Sequence, residues 1–503
     1  MRCVTLADAL RERGAVIRFI CRAHPGHLEK LLQQRGMVVC LLATPKEEST
    51  KRDLDGYAAW LGASQKEDAT QTIEALHNER PDWLIVDHYG LDAEWERMLR
   101  PHVARLMVID DLEDRPHDCD LLLNQNYSNE TGERYRALVA AECTLALGTR
   151  YALLRPEYAQ YRRAQRPGGH AVRRVLIFFG GSDPNNVTGM ALDALCKPGF
   201  EHLQVDVVIG KNNKYRPNLE RTILSRPRTN AFGPRLHLAD LMAAADLAIG
   251  AGGVTTWERM CLGLPSVVVS IAENQEPSCR ALSDAGLIRY LGTFEDVGAS
   301  AIGEVVREYV DNPRSLLELG TRSKLVVDGL GTSRVAEYIV QTPVKGLRLR
   351  PANLKDMPLY FDWVNDLEVR QQAISTQEVT WEEHRKWFLA RLTGRQSSLF
   401  VLCAEHLPVG QIRFDLEGGE ARIDYSLDPL FRGRGWAKHL VALGIQHVRC
   451  AYPIVFRADV KESNLPSRAV FIRLGFVERM SHAKRSLRTY IFDPLVHKIP
   501  ELN

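Results

Sequence analysis

Gly250-Ala251-Gly252-Gly253-Val254-Thr255-Thr256-Trp257-Glu258 follows an apolar run ending at Ile249 and leads into an amphipathic stretch through Cys261. Read as strand, glycine turn and helix, it presents backbone N–H groups at the positive end of a helix dipole, a setting suited to a pyrophosphate. Glu258, three residues after Thr255, fits two roles: a capping-box acid or an acceptor for ribose hydroxyls. Outward from this segment, short apolar runs alternate with longer amphipathic ones, the pattern of an α/β protein with parallel sheets.

The same block contains expected strands at Val172–Phe179, His202–Ile209, Asp246–Ile249 and Ser266–Ser270, and a mostly helical close at Leu316–Tyr338. Phe178-Phe179-Gly180-Gly181-Ser182-Asp183-Pro184-Asn185 gives it a second glycine turn directly after a strand, where a ligand or a neighbouring loop can approach the backbone closely. An earlier block has strands expected at Ala15–Cys21, Trp83–Val86, Leu106–Ile109 and Asp120–Leu123, with helices at Pro25–Arg35 and Leu91–Leu99. The blocks meet at Gln165-Arg166-Pro167-Gly168-Gly169, which reads as a linker. Two Rossmann-like halves, 1–165 and 166–341, imply a ligand cleft between them.

After Thr342-Pro343-Val344-Lys345-Gly346 the rhythm changes, and 345–503 reads as a separate α+β module. Helices at Pro358–Asn365 and Trp381–Leu392 precede strands at Leu399–Cys403, Pro408–Asp415 and Ala421–Leu427. A glycine turn, a helix and a strand at Ile454–Val460 follow.

Composition excludes several classes. The 503 residues carry a net charge of +2, with 45% hydrophobic and 25% charged residues, which disfavours disorder and a uniformly basic nucleic-acid surface. No apolar run approaches the ~20 residues of a membrane span, and Met1–Arg13 is too charged for a secretory signal. A cytoplasmic location is expected. Ten scattered cysteines without a CxxC pair read as free thiols, and no metal site is expected.

Joint motifs narrow the first two halves. Gly252-Gly253-Val254-Thr255-Thr256-Trp257-Glu258, Gly263-Leu264-Pro265 and Asn274-Gln275 resemble the donor-nucleotide site of GT-B proteins. With Phe179 to Asp183, Asp87-His88-Tyr89-Gly90-Leu91 and Gly148-Thr149-Arg150-Tyr151-Ala152-Leu153-Leu154-Arg155, the set resembles the UDP-2,4-diacetamido-2,4,6-trideoxy-β-L-altropyranose hydrolases of pseudaminic acid biosynthesis. The resemblance implies UDP held by Gly180, Gly181, Gly252, Gly253, Val254, Thr255 and Glu258, with Tyr89 and Asn274 as catalytic candidates facing the sugar. It also implies a first strand and a Gly-x-Gly-His loop ahead of the helix that begins Met1-Arg2-Cys3-Val4-Thr5-Leu6-Ala7. Neither precedes it, and no residue inherits the histidine's role, although His88 is a substitute base to test. The expectation is a natural start upstream of Met1, and impaired hydrolysis without that loop. Val4, Ala7, Leu10 and Val16 are expected to form the apolar face of this opening helix.

In the last module, Leu427-Asp428-Pro429-Leu430-Phe431 runs into Arg432-Gly433-Arg434-Gly435-Trp436-Ala437, similar to the R-x-x-G-x-A loop of GNAT acetyltransferases. Leu347 to Pro351 resembles that family's opening strand, Asn464 to Ser467 its N-x-x-S turn, and Arg473-Leu474-Gly475-Phe476 the end of the following helix. The resemblance implies acetyl-CoA held by Leu427, Arg432, Gly433, Arg434, Gly435, Trp436, Ala437, Asn464 and Ser467. Phe471 stands where many members have a general-acid tyrosine, so Tyr425 and Tyr490 are the catalytic candidates.

Together the resemblances imply consecutive steps: N-acetylation of a UDP-linked 4-amino sugar, then UDP release, feeding decoration of flagellin or surface polysaccharide. The expected partners are that nucleotide sugar and acetyl-CoA, without nucleic acid or membrane. Two alternatives stand beside this: a GT-B glycosyltransferase, or a non-catalytic UDP-sugar-binding module, fused to an active acetyltransferase.

Overall fold

The computed structural model describes residues 1–44, 57–127, 133–164, 171–341, 346–449, 454–480 and 486–497. The linker expected at 165–169 lies outside them, as does the one expected at 342–346 except for Gly346. The chain forms two compact units, Met1–Val340 and Gln341–Asn503.

The first unit contains two α/β halves. In the first half, β1 (Arg18–Arg22) pairs in parallel with β2 (Val38–Leu42). A separate parallel sheet runs β3 (Trp83–Val86), β4 (Arg105–Ile109), β5 (Leu121–Asn124), β6 (Thr144–Leu147). β1 and β3 therefore each pair on one side among the described residues. The opening helix, Arg2–Glu12, buries Val4, Ala7 and Leu10 as expected. Val16 lies beyond the helix and is exposed, because a turn ends the helical period before that position is reached.

The second half is one parallel sheet of six strands: β7 (Arg174–Phe178), β8 (Gln204–Val208), β9 (Thr229–Phe232), β10 (Leu247–Ala251), β11 (Ser266–Ser270) and β12 (Arg289–Thr293). Their order across the sheet is β12-β11-β10-β7-β8-β9. Strands β10 and β11 are buried at every residue, as a sheet covered on both faces requires. The direction of winding reverses between β7 and β10, so the topological switch point lies at their C-terminal ends. Both glycine turns leave the sheet there.

The helix Gly331–Val340 returns to the first half, a GT-B-like arrangement. Trp83 Nε1 donates to the Ile339 carbonyl (3.2 Å), and Thr332 Oγ1 donates to that of Leu154 (2.7 Å). Arg334, fully buried, pairs with Asp328 and donates to the Arg150 carbonyl. Its guanidinium holds the Asp328 carboxyl down at about 2 against the opposing effect of burial.

The second unit is a seven-stranded sheet, β13 (Leu347–Pro351), β14 (Ser397–Ala404), β15 (Leu407–Glu417), β16 (Glu420–Leu427), β17 (Val455–Lys461), then β19 (Leu487–Phe492) and β18 (Val477–Met480). All neighbours are antiparallel except β16 and β17. These run parallel and pair only over Glu420–Arg422 against Val455–Arg457. Beyond Arg422 they part, leaving a notch in the sheet where neither strand pairs with the other among the described residues.

Candidate functional sites

In the second half, the helix Thr255–Leu262 begins without a side-chain cap, its N-cap position being Val254. The capping-box reading of Glu258 therefore does not hold. The half-buried carboxyl of Glu258 instead accepts from the hydroxyl of Tyr158, which itself accepts from the Leu238 N–H (3.2 Å). Burial pushes Glu258 up to about 7, with the Tyr158 hydrogen bond and the charges of Arg259 and Arg155 pulling the other way. Arg155 also pairs with Asp8 of the opening helix (3.4 Å), so the Glu258 neighbourhood adjoins the first half.

The turn ahead of this helix is held from behind. Arg259, buried, donates to the Ala251 carbonyl (2.7 Å) and to Thr256 Oγ1 (3.0 Å). Thr256 and Trp257 donate backwards to Gly253 and Val254 carbonyls. The N–H groups of Gly253, Val254 and Thr255 have no intramolecular acceptor among the described residues. A Cβ at Gly252 would sit 2.3 Å from the buried Cys279 sulfur, so glycine is required there. Gly180, with φ +93°, opens the turn after β7, and Asp183 then caps the next helix through the Val187 and Thr188 N–H groups. Gly180 and Gly181 thus flank the same switch point as Gly252 and Gly253. Asn274 lies exposed in the turn Glu273–Gln275.

In the first half, the loops after β3, β4 and β5 gather an ionic cluster at the C-terminal edge. Arg2 bridges Asp87 (2.7 Å) and Asp111 (2.7 Å), and its charge holds the Asp87 carboxyl below its usual range despite burial. Tyr89 donates to Asp111 Oδ2 (2.7 Å), and Asn126 Nδ2 to Asp111 Oδ1 (3.2 Å). Burial, with Asp111 beside it, raises the Tyr89 phenol, so it stays protonated. His88 is engaged elsewhere: its Nδ1 accepts from Gly90 N–H (3.0 Å), it bonds the Trp60 backbone, and burial lowers its pKa. It organises the loop. Asp111 and Arg2 were not singled out from sequence; only the fold brings positions 2, 87 and 111 together.

In the second unit, the R-x-x-G-x-A loop leaves the open end of β16. Gly433 and Gly435 have φ of +76° and +75° with open space where a Cβ would stand, so conformation, not crowding, asks for glycine. Arg432 pairs with Asp366 and Glu368 and donates to the Leu427 carbonyl (3.2 Å). Its side chain ties the loop to the helix Leu367–Gln372. Arg434 covers Phe431 and Trp436, which stack 5.5 Å apart, and Trp436 and Ala437 open the helix Trp436–Arg449. Asn464 caps the helix Leu465–Arg473 by accepting from the Ser467 N–H (3.1 Å).

The two tyrosines differ. Tyr425, on the parting stretch of β16, shares a 3.0 Å hydrogen bond with Ser467 and is pushed up to about 12 by burial. Tyr490 is buried in the ladder with β17, accepting from Arg468 Nε (3.0 Å) and donating to Glu478 (3.1 Å). It stacks on Phe471. Tyr425 borders the notch; Tyr490 has a packing role in this arrangement.

These features define a two-module chain: a GT-B-like pair of α/β halves with glycine turns at the switch point, and an α+β module with a notched sheet. Residues 346–477 match the Acetyltransferase (GNAT) domain family. An uncharacterized protein of Methanocaldococcus jannaschii, MJ1062, is 22% identical over 81% of this chain and 84% of its own length. The spore coat polysaccharide biosynthesis protein SpsG of Bacillus subtilis is 25% identical over 53% of this chain and 78% of its own. UDP-2,4-diacetamido-2,4,6-trideoxy-β-L-altropyranose hydrolase of Campylobacter jejuni is 24% identical over 43% and 76%. The N-terminal region resembles SpsG and the Campylobacter jejuni hydrolase, and the C-terminal region has a GNAT acetyltransferase domain.

Two outcomes are expected. On the expectation that Glu258 accepts from ribose hydroxyls, a bound nucleotide would favour its ionised form. UDP-glucose, whose phosphates do not titrate near neutrality, is therefore expected to bind about tenfold tighter at pH 8 than at pH 6, the change a carboxyl near 7 allows. Calorimetry checks this, and E258Q is expected to be weaker and flat with pH. In the acetyltransferase assay, Y425F is expected to lower kcat about tenfold or more with KM for acetyl-CoA within about twofold. Y490F is expected to lower the melting temperature instead.

Proposed function

We propose that the chain is a bifunctional enzyme of pseudaminic acid biosynthesis. Its GNAT domain acetylates the 4-amino group of UDP-4-amino-4,6-dideoxy-N-acetyl-β-L-altrosamine with acetyl-CoA. Its first unit hydrolyses the resulting UDP-2,4-diacetamido-2,4,6-trideoxy-β-L-altropyranose to UDP and free sugar. The observation that carries the reading is the joint presence, in one chain, of a GNAT domain and a unit resembling the hydrolase that acts on such an acetylated sugar.

For the first step, the neutral amine attacks the thioester carbonyl, the C–S bond breaks, and the thiolate takes a proton. Backbone at the parted end of β16 faces the developing oxyanion, and Tyr425, still protonated at neutral pH, is the donor for the thiolate. For the second, water attacks the anomeric carbon and the C–O bond to the β-phosphate breaks. The free N–H groups at Gly253 to Thr255 stabilise the charge that develops on the diphosphate, while Glu258 holds the ribose. The water's proton passes to a base at the C-terminal edge of the first half, where Tyr89 and Asp111 lie.

Mass spectrometry of the chain incubated with acetyl-CoA and the UDP-4-amino sugar tests this. The expected products are the free diacetamido sugar, UDP and CoA. Acetylated UDP-sugar without UDP release contradicts the hydrolytic half and leaves a UDP-sugar-binding module. Transfer of the sugar to a hydroxyl acceptor means a glycosyltransferase. No acetylation by folded protein that binds CoA overturns the substrate.

A further inference from the structure

Beside the Arg2–Asp87–Asp111 cluster stands a group of aromatic rings whose exposure the fold does not explain. Trp60, in the short helix Ala58–Leu61, leaves 60% of its surface exposed. Tyr57 meets it edge-on at 5.0 Å and meets Tyr89 at 5.1 Å, while Trp60 and Tyr89 lie 6.1 Å apart. The three rings form one shelf. It is anchored beneath: Leu61 and Ala63 are buried, His24 Nε2 bonds the Leu61 carbonyl (3.2 Å), and a Cβ at Gly90 would come within 2.7 Å of the Tyr57 carbonyl oxygen. An indole held on an anchored turn and left open to water is a surface for something apolar.

Its surroundings say what kind. The shelf adjoins the C-terminal ends of β3 and β4, where ligands sit in open α/β sheets. Tyr89 directs its hydroxyl hydrogen to Asp111 as a hydrogen-bond donor, so its oxygen presents only lone pairs outward. Aromatic faces next to acceptors suit a glycosyl group: its C–H face and methyl substituents pack on the rings, and its N–H or O–H groups donate to the rim.

Resting on the nucleotide-sugar reading above, we propose that Tyr57, Trp60 and Tyr89 form the subsite for the glycosyl group, and that Trp60 sets the preference for a sugar rich in methyl groups. The sugar lies with its methyl substituents over the indole, and the Tyr89–Asp111 pair accepts a hydrogen bond from it.

The test compares two ligands by calorimetry and NMR: UDP, and the phosphonate analogue of UDP-2,4-diacetamido-2,4,6-trideoxy-β-L-altropyranose with the glycosidic oxygen replaced by CH₂. W60A is expected to weaken the analogue at least fivefold while UDP stays within twofold, which also reports an intact fold. W60F is expected to fall between. Methyl resonances of the bound analogue are expected to shift upfield in the wild type and to lose that shift in W60A. Equal weakening of both ligands, or no change for the analogue, overturns the subsite while the nucleotide reading stands. A wild-type chain that binds neither ligand overturns both.

Discussion

A loop that offers backbone N–H groups to a ligand must satisfy its own carbonyls by some other route, and here arginine does so from behind. Arg259 donates to the Ala251 carbonyl at the switch-point turn, and Arg432 donates to the Leu427 carbonyl at the notch. In each case the guanidinium ties the end of a strand to a neighbouring group: Thr256 in the first, Asp366 and Glu368 in the second. Backbone polar groups buried without partners are costly, so the arginines let glycine-rich turns stay rigid while presenting N–H groups and no side chains. Both candidate phosphate cradles depend on this arrangement.

The order of the two proposed reactions has an electrostatic rationale. Departure of UDP develops positive charge at the anomeric carbon. A protonated amine on the same sugar ring opposes that charge, whereas an acetamide does not. Acetylation therefore removes a barrier to hydrolysis as well as changing shape, and it adds a methyl group that can pack against an aromatic shelf. Tethering the modules raises the local concentration of the intermediate around the second site without requiring contact between them.

Much of the fold was legible from periodicity, because buried parallel strands are continuous apolar runs: Trp83–Val86 and Ser266–Ser270 fall on β3 and β11 to the residue. Val38–Leu42 and Thr144–Leu147 are short apolar runs as well, but such runs fit a buried helix segment equally, and these two strands were not anticipated. Glycine turns were legible too, since few other residues tolerate φ near +75° or a neighbour within 2.3 Å. Roles of long polar side chains were not. Arg432 was expected on the cofactor side and binds Asp366 and Glu368, 66 and 64 positions earlier; Glu258 found Tyr158 in place of a cap. Trp60 carried no motif, because exposure belongs to the folded surface.

The central claim is that one chain performs two dependent steps. Phosphorus NMR of a single reaction tests it most directly, following the UDP-4-amino sugar first without acetyl-CoA and then after its addition. The account predicts stable nucleotide-sugar resonances before addition, and afterwards loss of those signals with growth of the free UDP β-phosphate. UDP appearing at the same rate without acetyl-CoA, or none appearing with it, would contradict the account.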